Sequence, residues 1–368
     1  MSMTETDTVS TQTRQILPED CPDFAAGAAI LGTGGGGDPH IGMLMAQAAL
    51  DKHGPADLVK LEDVPDDAVV IPVAMMGAPT VLVEKPASAG QFVESIRAIA
   101  KYLGVEPTHI ACMEAGGVNS MIPMAAAAEL GLPLIDADGM GRAFPELQMV
   151  LATLSGVQAA PMSISDEKGN SIVLETVSNK WAERLARAAT VEMGCSTIVS
   201  LYAMTGEQVK SAFVPGTLSL CRELGECISY SRHHAGSAKD AVIARLGAVQ
   251  IAEGKISDVE RRTTSGFARG RAELRTADGP VEIEFQNENL LVRRGDEVVA
   301  TTPDLIIGLD TDTGEAVTTE QLRFGTRISL IVAPADERWH SEGGLELAGP
   351  RYFGYDTDPV RPIEFTQS

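Results

Sequence analysis

Glu114, Asp136, Asp138 and Glu146, with Arg142 among them, stand at the ends of apolar runs in CMEAGGVNS and LIDADGMGRAFPELQM. A carboxylate at a strand end over a glycine loop is where a general base is placed, its pKa tuned by partial burial. That describes Glu114, which Asn119 and Ser120 follow closely; a helix cap or an ion pair with a neighbouring loop is the plain alternative. The two-residue period of a strand puts Asp136 and Asp138 on one face. Carboxylates so close repel each other unless a divalent metal, a shared proton or Arg142 compensates. A surface acidic turn is the other reading.

The second candidate is the loop LGTGGGGDPHIG, where Gly34, Gly35, Gly36 and Gly37 precede Asp38-Pro39. Glycines lose much backbone entropy on folding, so a cluster implies positive φ or a close approach of main chain to something else. Gly32, Gly34 and Gly37 formally spell GxGxxG, with Glu62 downstream, which is the outline of a dinucleotide fingerprint. Against it, DFAAGAAIL before the loop reads as helix, and Asp38 would repel a phosphate there. Asp38-Pro39 is instead a helix start, Asp as N-cap and Pro in the first turn. No Lys-Ser/Thr follows, so a P-loop is excluded. The loop is then a tight turn, or its amides face another small polar ligand. At the end of a further apolar run, MGAPT leaves room for a ligand and offers the Thr80 hydroxyl, or it simply turns the chain.

These residues need a scaffold. Segments 66–77, 109–117 and 132–141 read as buried strands and 122–131 as a helix, the pattern of a parallel α/β sheet. In such sheets function gathers at the carboxyl ends of the strands. Helices are expected at 179–194 and around 215–228. From 246 to about 335, short alternating runs split by TADGP, RRGDE and TDTGE predict hairpins in a β-rich domain. The expected division is a flexible tail over 1–19, an α/β domain with the glycine loop over 20–168, and a β-rich C-terminal domain with flanking helices over 169–368.

The chain's 368 residues carry a formal charge of −22, spread without an acidic block. That balance disfavours nucleic acid and anionic membrane as partners. Five cysteines in an odd count, with no CxxC pair, argue against a disulfide framework and fit a reducing cytoplasm. Neither a secretory leader nor an apolar run of spanning length is found. No histidine pair has zinc-helix spacing, and Cys112 reads as a small buried strand residue.

Taken in order, LGTGGGGDPHIG, MGAPTVLVEK, EAGGVNS, LPLIDADGMGRAFPELQM, VPGTL, FQNENL, TPDLI and GPRYFGYD resemble the S-methyl thiohydantoin desulfurase-like family, associated with hydantoinase and oxoprolinase systems, from about residue 20 to 357. The resemblance implies an N-terminal three-layer α/β/α domain and a C-terminal barrel-like β domain. It also implies an enzyme that hydrolytically removes a sulfur substituent from C2 of a thiohydantoin-type ring, or related hydantoin-ring chemistry. One departure is Ala115 after Glu114, where Ile or Leu is expected. Such hydrolysis needs a base for water, donors for ring oxygen and nitrogens, and help for the departing sulfur. On this basis Glu114 or Asp138 is expected to activate water and Arg142 to compensate negative charge. The Gly34 to Gly37 amides and Thr80 are expected to hold the ring, with Asp38 and Asn119 also among the substrate-binding residues and Asp136 and Glu146 orienting Arg142 or binding a divalent metal. Asn287, with Glu288 and Asn289, either closes the site from the β domain or stabilises a strand crossover. A homo-oligomer binding a small cyclic substrate is expected. The rivals are a nucleotide-binding oxidoreductase and a non-catalytic subunit of a hydantoinase or oxoprolinase-type complex.

Overall fold

The structure is a computed structural model that describes residues 14–77, 90–234, 236–264 and 267–362. The alanine-rich run before the glycine loop is helical, as its composition predicts: α1 is Cys21–Leu31. The loop leads straight into α2, Pro39–His53, where the Asp38 carboxylate accepts the His40 N–H at 2.9 Å. That bond satisfies one of the free donors of a helix start.

The first sheet contains β1 (Arg14–Ile16), β2 (Ala56–Lys60), β3 (Val69–Gly77), β4 (His109–Cys112), β5 (Leu134–Asp138), β6 (Met162–Ser165), β7 (Ser171–Leu174) and β8 (Ser196–Ser200), in the order β1-β2-β5-β4-β3-β8-β6-β7. Its centre, β2-β5-β4-β3, is parallel, and β8, β6 and β7 continue it antiparallel. Every interior residue of β3 and all of β5 are buried. Successive strand residues face opposite ways, so burial without alternation means a layer on each face. That is the three-layer α/β/α arrangement. Among its helices are α3 (Gln91–Leu103) and α4 (Ile122–Leu130), then the short α5 (Leu151–Leu154) and α6 (Asn179–Glu192). Residue 168 lies in the turn of the β6–β7 hairpin, and strands from both sides of it share this sheet.

After β9 (Met204–Thr205), α7 (Gly206–Ala212) and β10 (Val214–Pro215), α8 (Thr217–His233) packs on α1 and α9 (Ala238–Leu246) follows. The second sheet is an antiparallel half-barrel built from β11 (Val249–Thr264), β12 (Phe267–Thr276), β13 (Gly279–Gln286), β14 (Glu288–Arg294), β15 (Glu297–Thr301), β16 (Leu305–Asp310) and β17 (Arg327–Ala333), in the order β15-β14-β13-β12-β11-β17-β16. TADGP and RRGDE are the turns joining β12 to β13 and β14 to β15, as expected. Alternate residues Leu274, Ile283, Phe285 and Val292 form its own small core. The last helix, α10, is Glu342–Ala348. Among the described residues no helix is long and apolar enough to cross a membrane.

Candidate functional site

Where the strand ends of the first sheet meet the second, a cavity of about 120 Å³ opens. Its wall takes Gly34 to Gly37 from the glycine loop, Met75 and Met76 from β3, Glu114 and Asn119 from the segment after β4, and Glu146. Asn287 and Glu288 come from the β13–β14 hairpin, Thr319 from the connection between β16 and β17, and Glu183 and Arg187 from α6. Seven segments of the sequence thus converge on one hollow.

The glycine loop makes this possible. Gly34, Gly36 and Gly37 have φ of 95°, 82° and 78°, values that a side chain resists. The carbonyls turn outward and fasten the loop to its neighbours: Thr33 O accepts the Asn289 N–H, Gly34 O the Thr319 N–H and Gly36 O the Val118 N–H, each at 2.8 Å. At Gly35 the reason for glycine is different. A Cβ there would lie 2.0 Å from Oε1 of Glu288, so the bare backbone is what lets that carboxylate approach.

Glu288 reaches the loop from the tip of the β13–β14 hairpin. The tip residue is Asn287, with φ of 58°, a conformation Asn tolerates better than most. Its side-chain oxygen accepts the Ala268 N–H at 2.9 Å and its N–H donates to Ala268 O at 2.8 Å. Asn287 therefore both borders the cavity and locks the turn that aims its neighbour inward.

Glu114 and Glu288 are buried, 7% and 2% exposed, and both border the cavity. Burial pushes the Glu288 carboxyl up to about 8, opposed by Arg142, the N–H groups of Glu288 and Gly36, and Arg187. Burial also lifts Glu114 well above the carboxylate range, and the charge of Glu288 lifts it further, followed by that of Asp138; Asn119 and Arg142 oppose this. Oε2 of Glu288 has no hydrogen-bond partner among the described residues. The two carboxyls line one cavity, and an ionised Glu288 makes ionisation of Glu114 harder still.

Arg187 supplies the cavity's positive charge. It is paired with Glu183, donates to Pro145 O at 3.3 Å and lies 4.4 Å over the Phe267 ring. The other wall is soft and apolar, made by Met75, Met76, Met113 and Met140. Neither Arg187 nor Glu183 stands out in the sequence. The only local signal is their spacing of four beside Ala182 and Ala186, the buried stripe of α6.

Asp138, Arg142, Asp136 and Asp38 do not border the cavity. Asp138 accepts N–H bonds from Ala115 at 2.8 Å, Met140 at 3.1 Å and Gly141 at 2.9 Å, which ties β5 to the loop carrying Glu114. With both oxygens engaged it is a brace and has no lone pair aimed at a substrate. Arg142 is wholly buried, donating to Pro303 O, Asp304 O, Ala143 O and the Thr33 hydroxyl, at 2.7 to 2.9 Å. It clamps the second sheet to the glycine loop. Asp136 accepts the Ser219 N–H at 2.9 Å and the Ser219 hydroxyl at 2.5 Å, at the start of α8, where a helix end favours an anion.

Asn119 borders the cavity and its amide ties β3 to the acid: it accepts from Met75 N at 2.7 Å, donates to Met75 O at 3.3 Å and hydrogen-bonds the Glu114 carboxyl. Glu146 borders it too and accepts from the Tyr352 hydroxyl at 2.7 Å and from Gln148 at 2.5 Å. Asp136 and Glu146 thus serve separate partners, and neither orients Arg142. No group of three or more His, Cys, Asp or Glu with the geometry of a metal site occurs among the described residues. Thr80 lies outside them. Cys112 is a buried strand residue as expected; burial holds its thiol well above the ordinary range. The element before the glycine loop is a helix, so the strand–turn–helix cradle of a dinucleotide site is missing.

No curated protein matches the chain. In structure it is similar to a protein from Chromobacterium violaceum known by X-ray crystallography, with a TM-score of 0.79 and 22% identity over 95% of this chain and 100% of that one. At that identity the likeness speaks for the fold alone. Two family models account for nearly all the sequence: "S-Me-THD-like, N-terminal domain" over residues 19–176 and "S-Me-THD-like, C-terminal domain" over 177–362. The chain therefore belongs to the S-Me-THD-like family, and in it Glu114 from the first of these regions and Glu288 from the second border one cavity.

Proposed function

We propose that the protein hydrolyses the C2–sulfur bond of an S-alkylated thiohydantoin ring, releasing a thiol and leaving a hydantoin. The observation that carries this reading is the meeting of Glu114 and Glu288 in one partly apolar cavity. Family membership supports the substrate class, and a methionine wall suits a polarisable thioether.

C2 of such a ring is an amidine-like carbon, double-bonded to nitrogen and bearing the sulfur. In the working state Glu288 is ionised, its charge supported by Arg142, Arg187 and two peptide N–H groups, and Glu114 keeps its proton. As water oxygen bonds to C2, one water proton passes to Glu288 while Glu114 protonates the ring nitrogen. On collapse the new hydroxyl returns its proton to Glu114, Glu288 protonates the departing sulfur and C2 becomes a carbonyl. Both acids end as they began, and the base is Glu288 rather than Glu114 or Asp138.

The sign of the pH dependence follows. Glu288 must lose its proton to act as base, so kcat/KM should climb with pH through about 8, the value to which burial raises this carboxyl. It should fall at higher pH as Glu114 ionises. Thiol release measured from pH 5 to 10 checks this; an acid limb in the ordinary carboxylate range, unaffected by Glu288→Gln, is the contrary result.

Gly35→Ala should displace the Glu288 carboxylate, because the added Cβ falls 2.0 Å from its Oε1. A misplacement of roughly 1 Å costs about 10²-fold in rate. The expected outcome is that loss in kcat/KM with the α/β circular dichroism spectrum intact; unchanged turnover would remove Glu288 from the mechanism.

A further inference from the structure

Thr319, on the connection between β16 and β17, is 1% exposed and touches the glycine loop, 285 residues away. Its N–H donates to Gly34 O at 2.8 Å. Its hydroxyl stands 2.6 Å from Asn287 O and 3.0 Å from Gly34 O. A hydroxyl has one proton to give. Since the N–H already serves Gly34 O, the hydroxyl is left to donate to Asn287 O. The Thr319 carbonyl accepts from the Arg261 guanidinium of β11, and its methyl packs on the loop so closely that a Cβ on Gly34 would fall 2.8 Å from it. Branching at Cβ restricts the rotamer further. One side chain therefore joins the glycine loop to the turn that aims Glu288.

We infer that Thr319 is a positioning residue for Glu288, fixing the gap between the glycine loop and the Glu288 carboxylate. The residues on either side of Glu288 are laced to that loop: Asn289 donates to Thr33 O at 2.8 Å, and Asn287 is held through Thr319 to Gly34. Glu288 sits between the two ties. The gap matters because the Gly36 N–H faces the Glu288 carboxyl and favours its ionised form, a contact that lengthens if the hairpin drifts. The other charged groups around this carboxyl are Arg142, Arg187 and Glu183, with Glu114, Glu146 and Glu320 along the same wall. Replacing Thr319 by valine alters none of them chemically. A changed titration of Glu288 would then report its placement against the loop.

The test compares Thr319→Val, which keeps the side-chain shape without the hydroxyl, with Thr319→Ser, which keeps the hydroxyl. Carbon-13 labelling of glutamate carboxyls follows Glu288 with no substrate present, its signal assigned by its loss in Glu288→Gln. The midpoint should rise above that of wild type in Thr319→Val and stay near it in Thr319→Ser. The kinetic consequence rests on the proposed reaction: Thr319→Val should lower kcat for thiol release by roughly 10- to 100-fold, the scale of a misplacement of up to about 1 Å, and move the acid limb upward, and Thr319→Ser should recover most of the loss. Hydrogen exchange on the wild type gives a reading that does not depend on the variants folding. The Thr319 amide should exchange as slowly as the Asn289 amide, its counterpart across Glu288. An unmoved midpoint in folded Thr319→Val, a Thr319→Ser that behaves like it, or a Thr319 amide exchanging at the rate of an open loop would each overturn the inference. A wild type that releases no thiol, with the titration shifting as described, would strike the proposed reaction and leave the role of Thr319 standing.

Discussion

Glu114→Gln should lower kcat for thiol release by roughly 10² to 10⁴, the range that a positioned general acid contributes. The substitution keeps the shape of the side chain and its place on the cavity wall, but it cannot give up a proton to the ring nitrogen. Stability should move the other way or not at all. Glu114 is buried beside Glu288, which raises its pKa, so a neutral amide there removes a costly ionisable group. The pair of readouts separates a chemical role from a structural one: a variant that is stable and inactive fits the acid, whereas a variant that unfolds in parallel with its loss of activity points to packing. Steady-state thiol release and a urea titration on the same preparation give both.

Arg142→Met should unfold more easily by about 3–5 kcal/mol, the usual cost of breaking a buried charged network by deleting one partner. Its guanidinium makes four hydrogen bonds to the glycine loop, to its own segment and to the second sheet. All four acceptors would lose their donor. The same variant should shift the acid limb of the pH profile upward, because Arg142 is the largest influence holding the Glu288 pKa down against burial. A stability within 1 kcal/mol of wild type, on the order expected of a plain surface change, would show that the clamp is not what joins the sheets.

Much of the scaffold was legible because it follows local rules. The buried runs at 69–77 and 134–138, the Asp38-Pro39 helix start and the TADGP and RRGDE turns appear where apolar continuity, capping and turn chemistry put them. The glycine loop, Glu114, Asn119, Glu146 and Asn287 were also legible as candidates, and all border one cavity. Asp136 and Asp138 show where local reasoning stops. A two-residue period correctly gives them a common face, but it cannot say what that face meets. For Asp136 the answer is Ser219 at the start of α8, 83 residues away in sequence. For Asp138 it is the loop after a neighbouring strand.

Glu288 was visible only within FQNENL, grouped with Asn287 and Asn289. What singles it out is long-range: the left-handed turn at Asn287 and the missing side chain at Gly35, two features separated by most of the chain that make sense only together. Arg187 and Glu183 were hidden for a related reason. On an amphipathic helix their spacing reads as an ordinary surface ion pair, and only the packing of α6 brings them to the cavity wall.

The central claim is that Glu288 as base and Glu114 as acid work as one unit, and a double-mutant cycle on thiol release from an S-methyl thiohydantoin at pH 8 tests it most directly. Residues that act as a unit are far from additive. The account predicts that Glu114→Gln/Glu288→Gln loses no more than the worse of the two single variants. Losses that multiply, or a double variant that turns over like wild type, would contradict it.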